Sequence, residues 1–338
     1  MGILKEQDYT LIEHLVSLNQ KQLKQVMTKF LKKRYDKVIV KKDYLVALGD
    51  IPIALVAHMD TVFKDPATEV FYDTRKNVVI SPQGLGADDR AGVFAILRVV
   101  QAGLRPHIIF TTDEEKGCLG ADKLSSLDCP FDDLRYIIEL DRRGADDCVF
   151  YDCDNKDFIK YVESFGFVEA WGSFTDICCL MPAWGIAGVN LSVGYRDEHS
   201  QYETLWVSHL LNTIDKVIKM LSVEVENIPQ FKYIESKWSY NKLWNAAYGY
   251  DDWGNSYGSC GSALFASTHL CDHCERHFLW EELIPVFALD KKTKYYCCDC
   301  ISSVPTISWC EKCGNAFTKE IGSDEKFCGL CRGYSSND

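Results

Sequence analysis

The sequence predicts an α/β fold, a mostly parallel mixed sheet flanked by helices, followed by a small cysteine-rich module. Two observations carry this expectation. Strand-like and helix-like stretches alternate from residue 37 to residue 222, which specifies a sheet with helices on its faces. From Pro229 the texture changes, first to an aperiodic mixture of Tyr, Trp, Asn, Gly and Ser over 238–261, then to four Cys-x-x-Cys pairs between residues 271 and 331. The expected boundaries are 1–228 for the α/β domain, 229–268 for an irregular linker and 269–338 for the cysteine-rich module.

Each element has a local reason. Over residues 8–33, Leu11, Leu15, Leu18, Leu23, Val26, Phe30 and Leu31 recur among charges, an amphipathic helical pattern with room for one break. Residues 37–48 alternate like a hairpin, and 51–57 form a buried-type strand that runs into His58-Met59-Asp60. A strand pair is expected over 71–80 around Arg75-Lys76-Asn77. Val93, Phe94, Ile96, Leu97, Val99 and Val100 lie at helical spacing and Gly103 stops the run, so Asp88 and Asp89 stand at a helix N-terminus. The β-branched run 108–112 is a strand, with Glu114 and Glu115 just past its carboxyl end. A helix is expected over 118–127, a strand over 134–140 ending at Asp141, a short strand over 148–151 and a helix over 157–165. Residues 177–180 read as a short helix or strand, 188–193 as a strand, and 205–221 as a long amphipathic helix beyond His199.

Bulk properties narrow the function. The 338 residues are 47% apolar with a formal charge of −12, which argues against a non-specific nucleic-acid or anionic-membrane binder. Nothing at the N-terminus reads as a signal peptide and no apolar run is long enough to span a bilayer. Ten of the 16 cysteines follow Ser259, mostly as Cys-x-x-Cys pairs, which reads as metal binding in a reducing, cytoplasmic setting.

Five positions fall at the carboxyl ends of predicted strands or in the loops beyond: His58, Asp88, Glu115, Asp141 and His199. That edge of an open α/β sheet is where ligands bind. Carboxylates this dense repel one another unless a cation holds them, and two imidazoles with three carboxylates suit a pair of zinc ions, one carboxylate bridging. Asp60, two residues from His58, is placed to accept the other ring N–H and fix its tautomer. Glu114 adjoins a ligand but points differently, as a general base should.

His58-x-Asp60, Gly-Ala-Asp88-Asp-Arg-Ala-Gly, Glu114-Glu115, Asp141 and the late His199-Ser resemble, in order and spacing over 51–222, the motif series of the co-catalytic di-zinc exopeptidases. That clan includes tripeptidases, glutamate carboxypeptidases, acyl-amino-acid deacylases and zinc aminopeptidases. The resemblance implies His58 and Asp141 on one ion, Glu115 and His199 on the other, Asp88 as the bridge and Glu114 as the base. It also implies a small peptide or N-acyl amino-acid substrate. Two departures stand out. The interval between Asp141 and His199 leaves no room for an inserted lid and dimerisation domain, so a lid-borne oxyanion donor is missing; Tyr195, Arg196 and Thr175 are the candidates to replace it. Arg90 stands where lysine is more usual. Thr175-Asp176 is similar to a Ser/Thr-Asp element of the clan near the substrate pocket.

Plainer readings sit beside these. Acidic doublets are more often solvated loop charges, and only their joint placement with two histidines reverses that. His14, His107 and His209 read as structural. Cys118, Cys129, Cys148, Cys153 and Cys178-Cys179 read as small buried hydrophobes. Arg142, Arg143 and Arg196 are surface charges or, flanking ligand positions, a grip for a substrate carboxylate. In the tail, Cys271, Cys274, Cys297 and Cys300 form one expected four-thiolate set, and Cys310, Cys313, Cys328 and Cys331 a second, giving a double zinc-ribbon-like module. His273, His277 and Cys298 are substitutes for a ligand. Residues 260–338 carry 8 Lys and Arg against 11 Asp and Glu, so protein contact is a better expectation for this module than nucleic acid. Two function classes follow: a di-zinc amide or peptide hydrolase with two further structural zinc ions, and a zinc-ribbon adaptor carrying a retired hydrolase domain. The intact Glu114, Asp60 and five ligand positions favour the hydrolase.

Overall fold

The computed structural model describes residues 4–236, 269–274, 277–278, 283–287, 293–301, 304–311, 316–320 and 323–326. The described residues fall into two compact units divided between residues 262 and 263.

The first unit opens with α1 (Glu6–Val16) and α2 (Gln20–Lys32). The break lies between them because the Asn19 side chain accepts from the Gln22 amide and the Gln22 side chain from the Asn19 amide, a reciprocal cap that starts a new helix. The hairpin of β1 (Lys37–Val40) and β2 (Tyr44–Leu48) leads into β3 (Ile51–His58), which is buried along its whole length. Next come β4 (Phe71–Asp73), β5 (Val78–Ile80), α3 (Ala87–Gln101), β6 (Pro106–Thr111), a 3-10 turn (Glu114–Lys116) and α4 (Leu119–Ser125). The chain continues through β7 (Tyr136–Arg142), β8 (Asp147–Val149), α5 (Lys156–Glu163), β9 (Val168–Glu169), α6 (Asp176–Trp184) and β10 (Gly188–Ser192). It closes with β11 (Tyr195–Arg196), β12 (Thr204–Trp206) and α7 (Val207–Leu221).

Eight strands form the main sheet in the order β1-β2-β6-β3-β7-β10-β8-β9. Its centre, β6-β3-β7-β10, is parallel, so four strands present their carboxyl ends at one edge. A small second sheet, β11-β12-β5-β4, brings the residues after β10 back beside the start of α3.

Three details differ from expectation. Leu205 and Trp206 belong to a strand, not to the last helix, because they pair with Val79 and Val78 and alternate in burial before the helical period begins at Val207. Asp141 lies inside β7, since the ladder with β10 continues to Arg142 opposite Ser192. Residues 229–236 do not open as a linker. Phe231 is buried against Tyr136 and Phe158, with ring centroids 6.0 and 4.9 Å away, and Lys232 and Glu235 form bridges with Ile186 and Cys153. The remaining stretch expected as linker, 237–268, lies outside the described residues. Among the described residues no helix is long and apolar enough to cross a membrane.

In the second unit, β13 (His269–Leu270) pairs antiparallel with β14 (His277–Phe278). A second sheet has the order β16-β15-β18-β17, from β15 (Leu283–Phe287), β16 (Thr293–Cys297), β17 (Ile307–Trp309) and β18 (Ala316–Thr318), with α8 (Cys298–Ile301) following β16. The small core holds Leu283, Val286, Tyr296, Ile301 and Ala316 together with Cys271, Cys297 and Cys300.

Candidate functional site

All five predicted ligand positions meet at the carboxyl edge of the parallel strands. His58 ends β3, Glu115 sits in the 3-10 turn after β6, Asp141 is in β7, and His199 lies in the loop between β11 and β12. Asp88 comes from the start of α3, where it and Asp89 precede the regular helical turns and share a cis peptide bond.

Asp88 is the centre of the arrangement. Its Oδ1 lies 3.0 Å from His58 Nε2, which is itself 3.6 Å from Asp141 Oδ1. Its Oδ2 lies 3.2 Å from His199 Nε2, which is 3.1 Å from Glu115 Oε2. Two sets of three ligand atoms, His58/Asp88/Asp141 and Asp88/Glu115/His199, each gather within 4.8 Å, and a third set joins His58, Glu114 and Glu115. Asp88 is common to the first two, with one oxygen for each.

The surrounding residues fix this geometry. Asp60 Oδ1 is 3.3 Å from His58 Nδ1, and its two oxygens accept the amides of Glu114 and Glu115 at 3.0 and 3.1 Å. One carboxylate therefore orients the His58 ring and holds the turn that carries the acidic pair. Asp89 accepts from the His58 and Gly92 amides at 3.3 and 2.9 Å. A Cβ on Gly92 would stand 2.0 Å from the Leu140 carbonyl oxygen, so only glycine lets α3 approach β7 this closely. Thr175 Oγ1 and Tyr195 Oη donate to the two oxygens of Asp141 at 3.1 and 3.0 Å. Both are oxyanion candidates in the sequence, and here both hydroxyls are spent on Asp141. Arg196, the third candidate, lies over Trp206 with 5.4 Å from guanidinium to ring centre. Asp113 and His199 hold left-handed backbone at φ 56° and 61°, a conformation that for non-glycine residues clusters at functional sites.

Electrostatics follow from this crowding. Burial opposes a charge on His58, yet Asp141, Asp60 and Asp88 hold its pKa well above the usual value. Burial likewise opposes ionisation of Asp88, but hydrogen bonds from His199 and His58 keep it well below the carboxylate range. Burial, reinforced by Asp88, pushes Asp141 up to about 7. Glu114 is raised well above its usual value, chiefly by burial and then by Asp141, Asp176 and Glu115. His199, whose burial works the other way, is pushed up to about 12 by Asp88 and Glu115. Each imidazole is thus asked to hold a proton only because carboxylates surround it. A divalent cation between them relieves the same repulsion. The buried Oε1 of Glu115 has no hydrogen-bond partner among the described residues, which fits a site built for cations.

Four supporting residues escaped the sequence reading. Glu203 accepts from the Gly86 and Asp88 amides at 2.5 and 2.9 Å. Gln20 accepts from the Asp113 amide at 2.9 Å. Asn190 accepts from the Asp141 amide at 2.9 Å and donates to its carbonyl at 2.7 Å. Arg90, noted only as a departure, donates to the carbonyls of Met59, Asp60, Leu15 and Leu18 at 2.7–3.2 Å. No local motif marks the first three, since each acts on a residue far away in sequence. Arg142 and Arg143, considered as grips for a substrate carboxylate, are engaged: Arg142 Nη2 donates to the Trp171 carbonyl at 2.9 Å and Arg143 Nη1 meets Glu198 at 2.8 Å.

In the second unit, the thiols of Cys271, Cys274, Cys297 and Cys300 gather within 4.8 Å, a donor set that suits a closed zinc site. Of the other expected set, Cys310 is buried, while Cys313, Cys328 and Cys331 lie outside the described residues.

The fold is that of the co-catalytic zinc exopeptidases. A tripeptidase from Staphylococcus aureus superposes with a TM-score of 0.57 at 15% identity, covering 67% of this chain and all of that one. The TET aminopeptidase of a marine-sediment thaumarchaeon gives 0.54 at 14% identity, covering 66% and 99%. Aminopeptidase PepT of Bacillus cereus gives 0.53 at 15% identity, covering 64% and 97%. Residues 42–160 match the model of Peptidase family M28, a span that contains His58, Asp60, Asp88, Glu114, Glu115 and Asp141 and stops before His199. No curated protein sequence matches the chain.

Proposed function

We propose that the protein is a metal-dependent peptide hydrolase of the exopeptidase type, in which His58 and Asp141 hold one zinc ion, Glu115 and His199 hold a second, and Asp88 spans both. The observation that carries this reading is the division of Asp88, Oδ1 toward His58 and Asp141, Oδ2 toward His199 and Glu115. When bound, such a metal pair makes water nucleophilic at neutral pH and polarises a carbonyl. Glu114 then serves as general base, taking a proton from the attacking water and returning it to the leaving amine. Its raised pKa suits that exchange, and Asp60 fixes its position through the backbone of the turn.

A peptide with a free amino end is the substrate class best supported. The site offers an excess of carboxylates to an ammonium group, and Arg142 and Arg143 are already engaged. The similar structures named as aminopeptidases and a tripeptidase agree with this. The four-thiolate set holds a third, structural zinc, and the second cysteine set would hold a fourth.

The test is Glu114→Gln. Turnover of free-amine di- and tripeptides should fall by about 10²–10⁴-fold, the scale of a lost general base, while zinc content stays at the wild-type level. Asp88→Asn should instead lose zinc. Full activity in Glu114→Gln would remove the mechanism.

A further inference from the structure

We infer that Glu203 is a positioning residue that ties the bridging Asp88 to the loop bearing His199, and so sets the geometry of the Glu115/His199 half of the site. This rests on the two-metal reading above. Glu203 is 1% exposed. Its carboxylate accepts from the main chain at the entry to α3, the Gly86 amide at 2.5 Å on Oε2 and the Asp88 amide at 2.9 Å on Oε1. Gly86 is in the left-handed conformation, φ 67°, and Asp88 follows it in non-helical backbone, so neither amide belongs to the helical ladder. Both therefore need an acceptor from elsewhere. It comes from a residue 115 positions from Asp88 and only four beyond His199.

That placement makes Glu203 a strut. The segment 197–203 leaves β11 and returns in β12 through left-handed residues Asp197 and His199, at φ 55° and 61°. The His199 side chain is 46% exposed and its Nε2 meets Asp88 and Glu115, while the neighbouring Glu198 reaches out of the loop to Arg143 at 2.8 Å. Glu203 is the buried link that returns this loop to the Asp88 backbone. The other half differs: His58 and Asp141 sit in β3 and β7, held by the parallel ladder and by Thr175, Tyr195 and Asn190. Loosening the strut should therefore move one half of the site and spare the other.

A glutamine at this position presents an oxygen to one amide and an N–H to the other, keeping volume while breaking the double acceptance. Zinc and cobalt are titrated into wild type, Glu203→Gln, Glu203→Asp and Asp88→Asn in the full-length chain against a chelator of known affinity, with native mass spectrometry for stoichiometry. The Asp88→Asn baseline subtracts the thiolate-bound zinc. Expected is one ion held with wild-type affinity and one weakened at least tenfold in Glu203→Gln. Peptide turnover should recover at high free zinc, and the melting temperature of the zinc-saturated protein should stay near wild type. If Glu203→Gln does not fold, Glu203→Asp, which retains the charge but is too short for both amides, is read for the same split. Both ions held at wild-type affinity, or both weakened equally, would overturn the inference while leaving the two-metal reading in place. Equal zinc content in wild type and Asp88→Asn would instead sink that reading.

Discussion

At the scale of single residues, the same side-chain type does opposite work according to its partners. His58 and His199 sit among carboxylates, whereas His107 sits in a strand with one ring nitrogen accepting the Gly49 amide at 3.1 Å and the other 3.0 Å from Asp133. Phe131 stacks on its face, with centroids 4.2 Å apart. Burial lowers its pKa against the pull of Asp133. The sign of the consequence follows. Between its folded pKa and the ordinary value of about 6.5, the unfolded chain binds a proton that the folded chain does not, so stability from a neutral His107 is present above that window and lost as pH falls through it. His107→Asn should unfold more easily than wild type at about pH 7.5, by about 1–3 kcal/mol for the lost packing and hydrogen bond, and the gap should narrow by about pH 5. Urea titrations of both proteins across that range measure it, and a gap that widened toward acid would contradict the assignment.

At the scale of elements, the active edge depends on how α1, α2 and α3 meet, and here the sequence was only partly legible. The strands and their terminal residues could be read because a buried parallel strand is a continuous apolar run, and its end is marked where polar residues such as His58 or Glu114 begin. The supports could not be read that way. Arg90 in the sequence is one charge in an acidic motif, yet it is 4% exposed and binds four carbonyl oxygens, two at the break between α1 and α2 and two beside the His58 ligand. Glu203 and Gln20 were hidden for the same reason, that their partners are backbone amides brought near only by tertiary contact. Leu205 and Trp206 fit the helical pattern in the sequence because a three-residue strand carries too little alternation to compete with the helical period that follows. The Arg90 fork has a measurable value. Arg90→Ala strands four carbonyls and removes a buried cation from among Asp60, Asp89 and Asp88, and should cost about 3–5 kcal/mol. Arg90→Lys restores the charge but not the planar fork, and should recover part of that, leaving about 1–3 kcal/mol. Denaturant midpoints give both values; an Arg90→Ala protein as stable as wild type would show that the clamp is ornamental.

At the scale of the whole molecule, two kinds of metal environment should part company under chelation. The first unit has an extensive apolar core of its own to fold around, whereas among the described residues of the second the core cluster is small and includes three cysteines. So small a core relies on cross-links, and a four-thiolate zinc site contributes on the order of 10–16 kcal/mol of folding-coupled binding energy in finger peptides. The oxygen and nitrogen site is held by softer energetics and differs within itself, since His58 is 1% exposed and His199 46% on their side chains. Mild chelation should therefore take the Glu115/His199 ion first, then the His58/Asp141 ion, and the thiolate zinc last. Hydrolysis should stop after the first loss with the circular dichroism spectrum unchanged, and return on adding zinc or cobalt. Metal counting by mass spectrometry at each chelator concentration, paired with activity, follows the order. Activity that persisted until thiolate zinc began to leave would place the catalytic metal in the wrong unit.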